Sequence, residues 1–241
     1  MNPVAFEVFG IGIRWYGILI SLGMIIASVM ILKTCKKYDI DENKVIDMIL
    51  WVIPSAIIGA RAYYVIFNWH YYAGDFMKMI NIRGGGLAIH GGVIGGLIAG
   101  YFYTKKVGID FWFMADIVAP WLVFAQGIGR WGNFINQEAH GGPTDLPWGI
   151  MVNGQKVHPT FLYESIWDFG VFAVLILLSK NKKFDGKIFT GYMILYSIGR
   201  FFVEGLRTDS LMLGPLRMAQ VISIVLIVLG VIINRVLARK A

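Results

Sequence analysis

The chain has one cysteine, no stretch rich in serine or proline, and few charges for its length. A single cysteine excludes an internal disulfide and leaves the redox compartment open; Cys35, in the basic segment KTCKKY, is read as an incidental thiol. Charged residues are only 15% of the 241, against roughly 25% in soluble domains. That scarcity excludes an ordinary water-soluble domain: at 57% hydrophobic and a mean hydropathy of +0.64, the chain has more apolar surface than a core of this size can hide. No linker, low-complexity tract or defensible repeat divides it, so residues 1–241 are read as a single polytopic membrane domain. His70, His140 and His158 lack metal-ligand spacing such as HExxH, and neither a metal nor a cofactor is expected.

What the chain does have is long apolar runs. Seven approach the ~20 residues that cross a bilayer core: 15–32, 48–67, 87–104, 111–131, 160–179, 188–206 and 215–234. Arg14 is the first basic residue, so the first run lacks the basic leader of a signal peptide and is read as a retained helix. The net charge of +7 is patterned rather than diffuse. Lys33, Lys36, Lys37 and Lys44 follow run one, Lys105 and Lys106 run three, Lys180, Lys182, Lys183 and Lys187 run five, and Arg235, Arg239 and Lys240 run seven. These are more than half of the 22 basic residues; the opposite connections hold Lys78, Arg83, Lys156 and Arg217. The asymmetry predicts an all-α protein of seven spans with its N-terminus outside and its C-terminus cytoplasmic. A basic balance arranged this way needs no nucleic-acid partner.

Two outer connections are longer than a link requires. Residues 68–86 mix aromatic and apolar side chains, as suits an interfacial segment. Residues 137–159 contain Asn153-Gly154 between alternating flanks, a hairpin signal. The cytoplasmic loops are short, which places the functional side outside.

The chemistry concentrates in GRWGNFINQEAHGG, residues 129–142, at the end of an oily run. GIGRWG within and before it matches GxGxxG, but it closes a transmembrane run rather than opening a helix after a strand, so a dinucleotide site is rejected. At about 100° per helical residue, Gln126, Arg130, Asn133 and Gln137 fall near 0°, 40°, 340° and 20°, one polar stripe if the helix continues. In YSIGRFFVEGLR, Tyr196, Arg200, Glu204 and Arg207 share an arc of about 80° by the same arithmetic. The plain reading of the latter is an ion ladder locking helices together. It leaves positive charge over, which Glu138, Glu164 and Asp116 only reduce, and surplus intramembrane arginine suits an anion such as phosphate. Gly91, Gly92, Gly95, Gly96 and Gly100 read as close helix packing. His90 precedes that stripe at a membrane boundary, where a hydrogen-bonded structural role competes with catalysis. Arg14 reads as an interfacial anchor, and Arg61 as paired with a carboxylate or facing a cavity.

With these residues in view, the chain resembles the bacterial phosphatidylglycerol–prolipoprotein diacylglyceryl transferases. GRWGNFINQEAHG is similar to that family's Gly-Arg-x-Gly-Asn-Phe-x-Asn-x-Glu pattern followed by Gly. RWYG at Arg14–Gly17, HGG at His90–Gly92, HPTFLYE at His158–Glu164 and YSIGRFFVEGLR at Tyr196–Arg207 agree in order, without departure, over essentially the whole chain. The resemblance implies transfer of the sn-1,2-diacylglyceryl group from phosphatidylglycerol to the lipobox cysteine thiol of a prolipoprotein signal peptide, giving a thioether and glycerol phosphate. It implies an enzyme of the bacterial cytoplasmic membrane with its active site toward the outer side. It carries functional roles onto Tyr16, His90, Arg130, Asn133, Glu138, Gly141, Arg200, Glu204 and Arg207. His90, Arg130, Arg200 and Glu138 are the catalytic candidates, and Arg130, Asn133, Tyr16, Gly141, Glu204 and Arg207 are the candidates for holding the lipid.

Two other readings compete. A transporter for an organic anion also needs intramembrane arginine, but inverted repeats are not visible. A structural scaffold predicts arginines fully matched by carboxylates.

Overall fold

The computed structural model describes residues 2–82 and 85–241, the side chain of Ile11 excepted. Arg83, counted above among the outer charges, and Gly84, the first glycine of the GGG run, lie outside the described residues. Nine helices and three two-stranded hairpins occur among the described residues. Five helices are long and apolar enough to cross a membrane: α1 (Trp15–Lys36), α2 (Glu42–Phe67), α6 (Phe111–Asn136), α7 (Thr160–Ser179) and α9 (Met218–Lys240). Two more, α5 (Ile89–Val107) and α8 (Lys187–Glu204), have 19 and 18 residues and coincide with the third and sixth apolar runs. Two short helices, α3 (Trp69–Tyr72) and α4 (Phe76–Ile80), lie between α2 and α5. The molecule is a mostly helical, multi-pass membrane protein. Its exposed helix faces are oily, as on α9, where Val225, Val228, Ile232 and Val236 are all exposed, the reverse of a helix that faces water.

The chain falls into two compact units, one of residues up to Ile31 with Ala115–Ala241, the other Leu32–Met114. In the second unit α2 packs along α5. Asp41 caps α2 by accepting from the Asn43 N–H at 2.9 Å, and Gly108, at φ 74°, ends α5 in the left-handed conformation. The glycine stripe divides by contact. A Cβ on Gly95 would stand 2.5 Å from the Ser55 carbonyl oxygen, and one on Gly91 would collide with Gly59 and Tyr63. Gly92 and Gly96 meet Ala56 at 3.4 and 3.7 Å, ordinary contact. The close approach therefore rests on Gly91 and Gly95.

Arg61, on α2, is buried and has no carboxylate in reach among the contacts described. Its guanidinium donates to four main-chain carbonyls instead: Nε to Met79 at 2.8 Å, Nη1 to Gly85 and Gly86 at 2.8 and 2.9 Å, and Nη2 to Lys78 at 2.6 Å. The rings of Tyr72 and Tyr64 flank it at 5.0 and 5.9 Å. One buried arginine thus ties Lys78, Met79, Gly85 and Gly86 back to α2.

In the first unit, the hairpin of β1 (Val4–Val8) and β2 (Ile11–Arg14) leads directly into α1 and turns on Phe9 and Gly10, both at positive φ. Asn153 and Gly154, at φ 50° and 81°, form the turn between β3 (Ile150–Val152) and β4 (Gln155–Val157). A third hairpin, β5 (Met212–Leu213) with β6 (Leu216–Arg217), joins α8 to α9. Val123, Val171, Leu175 and Ile188 make the apolar core of α6, α7 and α8. At that end of α8, Asp116 of α6 accepts from the N–H groups of Gly186, Ile188 and Phe189 at 2.8, 2.9 and 2.8 Å and faces Lys182 at 3.3 Å. A buried carboxylate on the free donors of a helix start needs no arginine to satisfy it.

Candidate active site

Three helices of the first unit converge on a line of alternating charge. Arg130 comes from α6, Glu164 and Asp168 from successive turns of α7, and Tyr196, Arg200 and Glu204 from successive turns of α8. Close packing brings α7 and α8 together: Gly199 leaves room for the Trp167 indole, which donates to the Leu195 carbonyl at 2.9 Å.

Every nitrogen of the Arg130 guanidinium faces a polar group, though Nε makes no hydrogen bond among the described residues. Nη1 faces Glu164 Oε2 at 3.2 Å, Nε faces Asp168 Oδ2 at 3.7 Å, and Nη2 donates to the Tyr196 hydroxyl at 2.9 Å. Glu164 uses its other oxygen to accept from Arg200 Nη1, so one carboxylate bridges both arginines. Arg200 Nη2 reaches Glu204 Oε2 at 2.7 Å, and Glu204 also takes the Ser210 hydroxyl at 2.6 Å. Beyond the helix, Arg207 sits 3.8 Å from Glu204 and forms a two-pronged pair with Asp209 at 3.0 and 2.8 Å. Burial alone would raise the Asp209 carboxyl, but the hydrogen bonds and charge of Arg207 outweigh it and hold the group below its usual range. At the other end of the line, Gln126 donates to the Tyr192 hydroxyl at 3.0 Å. Glu164, Asp168 and Glu204 are all at most 4% exposed.

The anticipated surplus of positive charge is therefore absent from the described cluster. Asp168 makes the difference; it belongs with Glu164 because ESIWD sets two carboxylates four residues apart on an oily helix. That spacing is the mark the pair leaves in the sequence. Asp116, expected to offset the arginines, instead caps α8. The stripe on α6 also stops sooner than its periodicity suggests: the helix ends at Asn136, and Gln137 turns left-handed at φ 53° and leaves the face.

The remaining candidates fall as follows. Tyr16, in the first turn of α1, lays its ring against Gly132 of α6, where a Cβ would run into it. Asn133 is half-buried one turn beyond Arg130, and its carbonyl accepts from the Glu138 N–H at 3.0 Å. Glu138 is exposed and accepts from Asn136 Nδ2 at 3.2 Å. Gly141 bridges backbone to backbone with Arg207, and its N–H donates to the His158 carbonyl at 2.9 Å. A Cβ there would stand 2.6 Å from the Cβ of His158 and 3.1 Å from the Leu206 carbonyl oxygen, so glycine is what lets this loop lie against both His158 and the segment after α8. His90 belongs to the second unit, exposed in the first turn of α5, its ring centroid 6.1 Å from that of Tyr63. Among the described residues, no group of histidines, cysteines and carboxylates is arranged to hold a metal.

A multi-pass membrane protein with arginines and carboxylates interleaved between its helices belongs with proteins that handle polar groups inside a bilayer. The chain belongs to the prolipoprotein diacylglyceryl transferase family, whose model matches residues 3–236. The phosphatidylglycerol–prolipoprotein diacylglyceryl transferase of Clostridioides difficile (strain 630) is 60% identical over 240 residues, covering 100% of this chain and 97% of that protein. The proteins of the same name from Finegoldia magna and Clostridium novyi are 56% and 52% identical, each over 97% of this chain and 95% of the relative.

Proposed function

We propose that this chain transfers the diacylglyceryl group of phosphatidylglycerol to the lipobox cysteine thiol of prolipoproteins, forming a thioether and releasing glycerol phosphate. Near-complete overlap with transferases up to 60% identical carries this reading. The scaffold reading shares the matched arginines, but it gives no reason for a whole-chain match to enzymes of one activity. The protein lies in the bacterial cytoplasmic membrane. In this reading α5 and α8 also cross it, giving seven spans with the N-terminus outside, and the arginine cluster lies toward the outer side. Residues 68–86 rest at the interface, and 137–159 form an outer loop over the cluster.

In the chemistry, the thiol proton is removed as sulfur attacks the glycerol carbon, and the phosphate oxygen takes the electrons of the breaking C–O bond. Arg130 and Arg200 stabilise the charge that gathers on that oxygen. Arg207 and Glu204 hold the headgroup, Asn133 and Glu138 orient the glycerol, and Tyr16 and Gly141 shape its seat. His90 takes the thiol proton. No protein nucleophile, metal or cofactor enters the scheme.

The test is direct. Purified protein incubated with phosphatidylglycerol and a lipobox peptide is expected to add the mass of one diacylglyceryl group to the peptide; no adduct with a competent peptide overturns the assignment. His90→Gln is expected to lower transfer by about a hundredfold, within the usual range for a general base, and near-normal transfer removes it from that role.

A further inference from the structure

The buried cluster has no charge to spare. Arg130, Arg200 and Arg207 face Glu164, Asp168 and Glu204, one carboxylate for each guanidinium, with the half-exposed Asp209 in addition. A phosphodiester brought to these arginines, as the proposed function requires, is one more anion than the cluster can neutralise. In a place shielded from water, an unbalanced negative charge is strongly disfavoured, and the common remedy is that a carboxylate becomes neutral.

The three buried carboxylates are not equally free to do so. Glu164 bridges two guanidiniums, and Glu204 holds Arg200 at 2.7 Å and the Ser210 hydroxyl at 2.6 Å. Asp168 is the loosest: one oxygen of each buried carboxylate lacks a hydrogen bond among the described residues, but Glu164 and Glu204 each hold a guanidinium at 3.2 Å or closer, whereas Asp168, 2% exposed, has Arg130 Nε only at 3.7 Å. The charged and titratable groups that face it are Arg130 on α6, Glu164 on α7 itself, and Arg200 and Tyr192 on α8. A phosphate oxygen drawn to Arg130 competes with Asp168 for the same guanidinium and repels it.

We infer that binding of the phosphatidylglycerol headgroup at this cluster takes up one proton from solvent, and that Asp168 receives it. The balance is simple: enzyme with Asp168 ionised, one proton and the anionic lipid give enzyme with Asp168 neutral and the lipid bound. No bond other than the carboxyl O–H is made. Asp168 is thereby a positioning residue that acts through Arg130. This inference rests on the proposed function for its ligand.

Calorimetric titration of the detergent-solubilised protein with dihexanoyl phosphatidylglycerol, in two buffers of different ionisation enthalpy near pH 7, reads the proton directly. The lipid phosphodiester keeps its single charge in this range, so a proton taken up goes to the protein. The wild type is expected to take up about one proton per lipid bound, with affinity falling by up to about tenfold per pH unit on the alkaline side. Asp168→Asn, already neutral and of the same shape, is expected to bind with uptake near zero and with little pH dependence. Asp168→Glu is expected to restore the uptake. Lipid binding by the wild type without proton uptake overturns the inference and leaves the proposed function standing, as does full uptake in Asp168→Asn or its loss in Asp168→Glu. A protein that binds no phosphatidylglycerol in either buffer overturns the proposed function, and the inference with it.

Discussion

Glu164 touches both arginines that a phosphate headgroup needs, so removing it disturbs two guanidiniums at once. Breaking a buried pair from one side costs about 3–5 kcal/mol. Because Arg130 keeps Asp168 and Tyr196, and Arg200 keeps Glu204, Glu164→Ala is expected near the lower end, about 3 kcal/mol, read as a lowered thermal midpoint in detergent. Arg200→Lys tests geometry rather than charge. Arg200 reaches Glu164 and Glu204 with separate nitrogens, which one ammonium cannot do at once. Transfer is expected to fall by at least about tenfold, equivalent to roughly 1.4 kcal/mol, with the protein still folded. Asp209 gives a pH signature. Its carboxyl is held low in the folded protein, so its pairing with Arg207 contributes fully above the usual carboxylate range, near about 4, and is lost as pH falls through the lowered value. The acid limb of the stability profile is expected to flatten in Asp209→Asn, as followed by thermal unfolding across that window.

At the scale of elements, the α2–α5 contact predicts a contrast between neighbours on one helix. Gly95→Ala puts a methyl against the Ser55 carbonyl and is expected to cost about 1–3 kcal/mol as overpacking. Gly96→Ala meets only the side chains of Ala56 and Val52, at 3.7 and 3.8 Å, and is expected to be near neutral. Unfolding midpoints of the two variants side by side check this. The glycine spacing announced a close helix contact, yet spacing alone does not say which of two interleaved sets faces the partner; that depends on how α5 is rotated against α2. The oily helices were legible because a span is long and its signal is additive. The site was legible in part. Arg130, Arg200, Glu204 and Arg207 were visible as charges that an apolar setting has to explain, and YSIGRFFVEGLR put three of them on one face. Asp168 sits inside an equally oily helix, and its only mark in the sequence is the i, i+4 spacing to Glu164 in ESIWD. Arg61 could be seen to need a partner, but main-chain carbonyls carry no mark in a sequence. The end of α6 was missed because periodicity continues past Asn136 on paper while the backbone turns left-handed at Gln137.

For the whole molecule, the proposed orientation separates two hairpin or loop sites that are both exposed. In intact cells, a membrane-impermeant maleimide is expected to label Gln155→Cys and to spare Lys183→Cys; the reverse pattern inverts the topology. The native Cys35 is buried and gives little background. Systematic substitution along the chain should also give an uneven map. Arg61 holds Lys78, Met79, Gly85 and Gly86 through carbonyl oxygens, which every amino acid supplies. Most replacements of Lys78 or Met79 therefore leave the acceptor in place, while any replacement of Arg61 removes the guanidinium fork that makes all four donations together. The fastening fails at Arg61 and is nearly blind to mutation at Lys78 and Met79, but it is strict at Gly86, where φ is 79° and a Cβ would stand 2.6 Å from Arg61 Nη1, so variation can accumulate at the first two acceptors as long as Arg61 and that glycine stay fixed.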